Sequence, residues 1–215
     1  MKKILLIVSV FILSINGNSQ VKIGIKGGLT ISNQVNPYIY SYSIKPHYDR
    51  GQSVSAPNAA MFAEFNLNKK ILVRVQVALL NEGYKLPEAY DSLIGKTSPT
   101  QKFRMNYISL PVQLIYNIPV KPGHVWIGAG PYYSFLIDAR VEVNNNKIRL
   151  TGNTSQQHFK SANFGFSPTV GLSLNSGLLI GMDYNLGLAD VSTSSEKSRN
   201  TSWSFFIGYT FKNHK

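Results

Sequence analysis

The chain has 215 residues, 43% of them hydrophobic and 15% charged, with a formal net charge of +12 and no cysteine. The lack of thiols excludes disulfides, thiolate metal sites and lipoprotein acylation. Nucleic acid is not the expected partner of the basic excess, because the cations are scattered along a chain that opens like an exported protein.

Lys2 and Lys3 form a charged start, residues 4–15 are apolar, and Gly17, Asn18 and Ser19 offer small residues for cleavage before Gln20. This is the layout of a secretory signal, with an apolar run too short for a membrane helix of about 20 residues. Loss of Lys2 and Lys3 would lower the net charge from +12 to +10. Those charges either sit on solvated loops and turns or attract anionic lipid headgroups.

After the signal, apolar residues recur with a period of two. In the first segment Val21, Ile23, Ile25, Gly27, Leu29 and Ile31 share one parity, against Lys22, Gly24, Lys26, Gly28, Thr30 and Ser32. Side chains alternate faces along a strand, so one face is apolar and the other polar or small. The second segment sets Met61, Ala63, Phe65 and Leu67 against Ala60, Phe62, Glu64 and Asn66; the third sets Ile71, Val73, Val75, Val77 and Leu79 against Arg74, Gln76 and Ala78. The fourth sets Ile108, Leu110, Val112, Leu114 and Tyr116 against Ser109, Pro111, Gln113 and Asn117. Phe103, Met105 and Tyr107 fall on the wrong parity for that apolar face, which predicts a bulge near Tyr107. The fifth carries Val125, Ile127, Ala129, Tyr133 and Phe135 outward, the sixth Phe164, Phe166, Val170, Leu172 and Leu174. The seventh carries Leu178, Ile180, Met182, Tyr184, Leu186 and Leu188, and the eighth Trp203, Phe205, Ile207, Tyr209 and Phe211.

The connections alternate between long (32–57, 81–102, 138–162, 190–200) and short (68–70, 118–123, 175–177). Seven connections imply eight strands, with every long loop leaving the same end. Long outer loops and short periplasmic turns are the pattern of a transmembrane barrel. The polar face separates it from a soluble sandwich, since it is dominated by Gly, Ser, Thr, Asn and Gln rather than by Lys and Glu. Small neutral residues suit the crowded lumen of an eight-stranded barrel, and closure leaves no edge in lipid. The expected fold is all-β: an eight-stranded antiparallel up-and-down transmembrane β-barrel, with a signal peptide over 1–19 and an outer-membrane β-barrel domain over 20–215.

A tight turn at 68–70 puts Glu64 opposite Arg74, both on the lumen parity, and predicts a buried charge pair that Lys22, Lys26 and Asp183 could extend. Aromatic girdles are expected at Tyr116, Tyr209 and Phe211 on the periplasmic side and at Tyr133, Phe135, Phe164, Trp203 and Phe205 on the outer side.

These residues resemble the outer-membrane β-barrel domain family of Bacteroidota-type bacteria, the group that includes PorT-like proteins. The resemblance is carried by Gly24-Ile-Lys-Gly-Gly-Leu29, Tyr107-Ile-Ser-Leu-Pro-Val-Gln-Leu-Ile-Tyr116, Gly128-Ala-Gly-Pro-Tyr132, Tyr184-Asn-Leu-Gly-Leu188 and Ile207-Gly-Tyr-Thr-Phe211. It implies insertion by the barrel-assembly machinery, read from the last strand, although here Lys212-Asn-His-Lys215 follows Phe211. PorT itself is associated with a secretion and gliding apparatus.

No motif for catalysis emerges. Gly128-Ala-Gly130 is followed by Pro131 and no helix, so it cannot cradle phosphate at a helix N-terminus. His124 falls in a periplasmic turn and His214 in the tail, whereas His47 and His158 fall in long outer loops, near Asp49 and Ser155 respectively. A lipid A-modifying enzyme would use His47 or His158, but no nucleophile motif or metal-ligand spacing accompanies them. The tyrosines Tyr38, Tyr40 and Tyr42 either form a contact surface or continue the first two strands as a hairpin above the membrane. The expected role is that of a non-enzymatic outer-membrane barrel of structural or interaction type, recognising through its long loops. A subunit of a secretion or envelope-assembly complex in the manner of PorT is the alternative. Expected partners are outer-membrane lipids and lipopolysaccharide, the barrel-assembly machinery during insertion, and an envelope protein. No catalytic residue, cofactor or metal is assigned.

Overall fold

Strands form where side chains alternate, and here the alternation runs further than a bilayer requires. The computed structural model describes residues 21–35, 51–91, 96–150, 159–192 and 197–211. They contain β1 (Lys22–Val35), β2 (Gln52–Asn66), β3 (Ile71–Leu86), β4 (Ala89–Asp91), β5 (Lys96–Ser98), β6 (Gln101–Val120) and β7 (Gly123–Ala129). There follow β8 (Pro131–Val143), β9 (Asn146–Arg149), β10 (Ala162–Phe166), β11 (Thr169–Leu174), β12 (Leu178–Gly187) and β13 (Arg199–Thr210). The signal segment and the Tyr38–Tyr42 and His47 region lie outside the described residues.

Antiparallel pairing runs β1, β2, β3, β6; the far side of β6 then pairs with β7 toward its C-terminal end and with β8 toward its N-terminal end. β7 and β8 are a single span, because Leu114↔Ala129 and Pro111↔Tyr132 belong to one register across Gly130. β10 and β11 are likewise one span against β12, from Phe166↔Leu186 to Thr169↔Asp183. That span pairs back onto β7 and β8, β12 pairs with β13, and β13 pairs with β1. The ring therefore closes with eight spans, each antiparallel to both neighbours. The breaks in the two composite spans fall beside Pro131 and Pro168, which have no N–H to give the ladder. Gly130 and Ser167 hold the gap with reciprocal backbone bonds of 3.3 and 2.8 Å. Gly130 has to be glycine, since a Cβ would run into the Val112 carbonyl oxygen.

The outward series expected from the sequence is half-buried or exposed all round the ring, with Leu29, Met61, Val77, Leu114, Ile127, Ile180 and Ile207 among the exposed members. A belt this large in water would drive association; around a closed barrel it is the surface that meets lipid. Each expected girdle aromatic faces outward and is exposed, with Tyr133–Phe135 and Tyr209–Phe211 ring centroids 4.8 and 5.6 Å apart.

Three expectations change. The outer connections are shorter than expected because β1 continues to Val35, β2 begins at Gln52, β3 continues to Leu86 and β6 begins at Gln101. The segment 138–150 is not a loop: β8 reaches Val143 and returns as β9 through Asn144 and Asn145, at φ 49° and 66°. Two positive-φ residues make the hairpin turn that matches strand twist. Finally, the bulge lies on the neighbouring strand rather than at Tyr107. Pairing steps from Asn106↔Asp138 to Tyr107↔Leu136, leaving Ile137 as the extra residue of β8. β6 keeps one parity throughout, so Phe103, Met105 and Tyr107 point inward and are buried.

The belt predicts a depth-dependent cost for charge on the lipid face. Val75→Arg, midway along the outward series of β3, is expected to lower stability in lipid vesicles by about 2–4 kcal/mol, and Asn81→Arg, at its outer end, by under about 1 kcal/mol. Urea titrations read by heat-modifiable electrophoretic mobility check both, and equal costs at the two positions would contradict the placement of the bilayer.

Candidate functional site

The lumen is built from the inward parity of every span, and it is filled in three layers. Nearest the periplasm, Phe62, Leu72, Ile115, Trp126, Leu179 and Phe206 form an apolar cluster around two ion pairs. The Arg74 Nε and Nη2 donate to Glu64 Oε1 at 2.9 and 2.6 Å, as the turn at 68–70 requires. Asn68 Oδ1 fixes that turn by accepting from the Lys70 and Ile71 amides, both at 2.8 Å. The Arg74 guanidinium lies 4.9 Å from the Trp126 ring and 5.2 Å from the Phe62 ring. Trp126 has room because Gly171 faces it; a Cβ there would strike the indole. Lys26 Nζ donates to Asp183 Oδ2 at 2.6 Å and sits 3.9 Å over the Phe206 ring. Each cation thus has both a carboxylate partner and an aromatic face, the two kinds of contact that offset the cost of burying a charge.

The middle layer is a hydrogen-bonded relay. Gln76 Nε2 donates to Gln113 Oε1 at 2.6 Å, and Gln113 Nε2 to Ser167 Oγ at 3.2 Å. Ser167 Oγ donates to Asn185 Oδ1 at 2.9 Å, and Asn185 Nδ2 to Ser202 Oγ at 3.2 Å. Ser202 Oγ then donates to Glu82 Oε1 at 2.7 Å, while Asn200 Nδ2 donates to Glu82 Oε2 at 3.0 Å and to Tyr107 Oη at 3.2 Å. Glu82 stands on β3 and its donors on β13, with β1 and β2 between them in the ring, so these bonds cross the lumen. The void beside Gln76, Pro111, Asp183 and Asn185 has a volume of about 20 Å³, room for about one water.

The outer layer is apolar. Tyr84 stacks on Phe103 at 4.5 Å, Phe159 meets Phe103 edge-on at 6.2 Å, and Leu86, Met105, Ala139, Val141 and Leu150 pack around them. Nearby, the connection after β12 is tied down by Asp190, which accepts from Lys160 Nζ at 2.6 Å and from the Ser198 and Ser192 amides at 2.9 and 3.2 Å. Desolvation works to raise the Asp190 pKa, but these donors outweigh it and hold the carboxyl below its ordinary value of 3.8.

At the periplasmic mouth a cavity of about 380 Å³ opens between Lys22, Glu64, Arg74, Asn117, His124 and Asn175. The structure thus brings together Glu64 with Arg74 and Lys26 with Asp183. It leaves Lys22 exposed at the mouth, outside the network. His124 lies at the start of β7 on the cavity wall, with Nδ1 buried and no protein partner among the described residues. His47, Asp49, Ser155, His158 and His214 lie outside the described residues. Among the described residues no cluster of metal-ligating side chains occurs. Glu82, Asn200 and Tyr107 are the central residues that the sequence reading missed. Their signal was present, since Leu80, Glu82, Tyr84 and Leu86 continue the inward parity of Arg74 and Gln76.

A closed ring with a lipid-facing belt and a packed polar lumen meets a sequence match to one family, whose model, described as outer membrane protein β-barrel domain, covers residues 16–193. The chain belongs to that family. It is a protein of the outer membrane. No curated protein sequence matches the chain. Among solved structures it is similar to Neisserial surface protein A, at 16% identity over 89% of this chain and 99% of that one, TM-score 0.48. It is similar to OprG from Pseudomonas aeruginosa at 14% identity, over 91% and 98%, TM-score 0.45. It is also similar to the outer membrane protein AlkL at 14% identity, over 93% and 94%, TM-score 0.46.

The buried pair predicts a non-additive mutant cycle. Arg74→Met strands the Glu64 carboxylate and is expected to cost about 3–5 kcal/mol, whereas Glu64→Gln combined with Arg74→Met recovers most of that loss. Urea midpoints of the single and double variants measure it; additive costs would mean that the two groups do not support each other.

Proposed function

We propose that this outer-membrane barrel is a sealed scaffold of structural or interaction type, which works through the surfaces at its ends rather than through its lumen. The observation that carries this reading is the set of bonds from Asn200 and Ser202 to Glu82 across the lumen, beneath the apolar layer around Phe103. A solute on this path would have to break buried hydrogen bonds and enter packed aromatics, and an eight-stranded ring has no spare width to go round them. The proposed role is non-enzymatic and assigns no chemistry to His47 or His158. What remains for function is the rim of the extended strands and the outer connections, where a rigid scaffold usually presents recognition.

A second reading, a subunit of an envelope-assembly or secretion complex in the manner of PorT, is favoured by the cavity at the periplasmic mouth. Its polar wall of Lys22, Asn117, His124 and Asn175 suits a segment arriving from the periplasm.

Planar bilayers test the first reading. The refolded protein is expected to be electrically silent, while Glu82→Gly combined with Phe103→Gly opens discrete conductance steps; steps from the unaltered protein would overturn the sealed scaffold. Photo-crosslinking in cells tests the second. A probe at Lys69, on the short turn, is expected to trap a periplasmic or envelope protein if the complex exists, and a probe that yields only uncrosslinked barrel removes that reading.

A further inference from the structure

Above the apolar belt, the outward face of the β3–β6–β8–β9 sheet turns basic. On β6 the outward series runs Leu110, Ile108, Asn106, Arg104, Lys102, and on β8 it passes from Tyr133, Phe135 and Ile137 to Asp138, Arg140 and Glu142. The register places Arg104 opposite Arg140 and Arg140 opposite Arg149, so three arginines stand side by side across three strands. In the next row outward, Lys85 faces Lys102, and Glu142 lies between Lys102 and Lys147. Six cations thus meet two anions on one small sheet, an excess of four positive charges.

Like charges directly opposite each other weaken a sheet. Asp138 relieves only part of this. Its side chain is 6% exposed, and it accepts from Arg140 Nε at 2.6 Å and Arg149 Nε at 2.7 Å, holding the two arginines while their side chains stay 56% and 66% exposed. Both bonds are made by Nε, so neither is the two-nitrogen fork that a carboxylate can accept from a guanidinium. Arg104 is exposed and makes no ion pair among the described residues. A buried carboxylate that orients two arginines beside a third is a preorganised anion receptor, and guanidinium forks match phosphate oxygens in pairs.

The height of the row decides which anion it meets. Arg140 lies three residues beyond Ile137, the last lipid-facing residue of β8, which is 50% exposed. At about 3.4 Å per residue and a tilt of roughly 40°, that places it about 8 Å above the hydrocarbon, at the level of the headgroups. Directly below, Ile108 pairs with Phe135 and Leu110 with Tyr133, giving an apolar strip for acyl chains. Apolar strip below and guanidinium row above fit an amphiphile that carries phosphate on its head.

We infer that the Arg104–Arg140–Arg149 row, with the Ile108–Phe135 strip beneath it, binds the phosphorylated glycolipid of the outer leaflet, the lipopolysaccharide that surrounds the barrel. This rests on the reading of the outer rim as the working surface and names its ligand. The site anchors the barrel in its own leaflet and orders the headgroups around the rim.

Binding of fluorescent diphosphorylated lipid A to the full-length protein in detergent tests it, with dephosphorylated lipid A and inorganic phosphate as the other probes. Diphosphorylated lipid A is expected to bind at least ~10-fold more tightly than the dephosphorylated form, and millimolar phosphate not to displace it. The triple variant R104Q/R140Q/R149Q is expected to lose that preference, while K69Q/K70Q, which removes charge from the periplasmic turn, keeps it. Heat-modifiable mobility checks that each variant folds. If the triple variant does not, R104Q alone, which leaves the Asp138 contacts in place, is expected to weaken binding at least ~3-fold. Equal affinity for the two lipids, displacement by phosphate, undiminished binding by the arginine variants, or equal loss in K69Q/K70Q would each overturn the site. Conductance of the same preparations reports separately on the sealed lumen, so failure of one reading is distinguishable from failure of the other.

Discussion

Hydrocarbon offers no hydrogen-bond partners, so a chain that crosses it as strands must satisfy every backbone N–H and C=O by closing on itself. In this protein closure is the contact of β1 with β13, twelve residue pairs from Gly24↔Thr210 to Val35↔Arg199. The first and last spans are therefore the two halves of one seam, and no shorter piece of the chain is a complete structure. The prolines at 131 and 168 are tolerated on the same condition, because Gly130 and Ser167 complete the ladder between them.

Closure with eight spans also dictates what the lumen can hold. The space is only as wide as the side chains that point into it. Bulk must be balanced between neighbouring spans, which is why Trp126 has Gly171 as its register partner on the next strand. Charge must be answered within it: Arg74 by Glu64 and two aromatic faces, Lys26 by Asp183. Among the described residues Glu82 has no cation partner, and the amide of Asn200 and the hydroxyl of Ser202 supply its donors instead. Removing one member of such a network leaves a buried group unpaired, so the network fixes one arrangement of the ring.

Above the bilayer the physics changes while the strands continue. Water replaces lipid outside, so Lys85, Lys102, Arg104 and Arg140 take over the outward positions. The interior, no longer confined by the narrow membrane section, packs as an ordinary apolar core around Tyr84, Phe103 and Phe159. The rim is thus a rigid sheet with its own core, standing on the membrane barrel, and its outward charge lies next to the headgroups.

The sequence by itself determined the strand parity, the lipid-facing and lumen-facing residues within the apolar belt, and the Glu64–Arg74 contact. Each of these depends only on local alternation and on one tight turn, so neighbours in the chain carry the information. The tertiary structure alone decided the Glu82 bonds, the place of the bulge at Ile137 and the inward direction of Phe103, Met105 and Tyr107. Alternation says that two residues lie on opposite faces, but not whether a face meets lipid, water or the lumen. That depends on height along the barrel and on the register between distant strands. Phe103 has the wrong parity for the lipid face, but above the membrane the apolar side of the same strand is the inside.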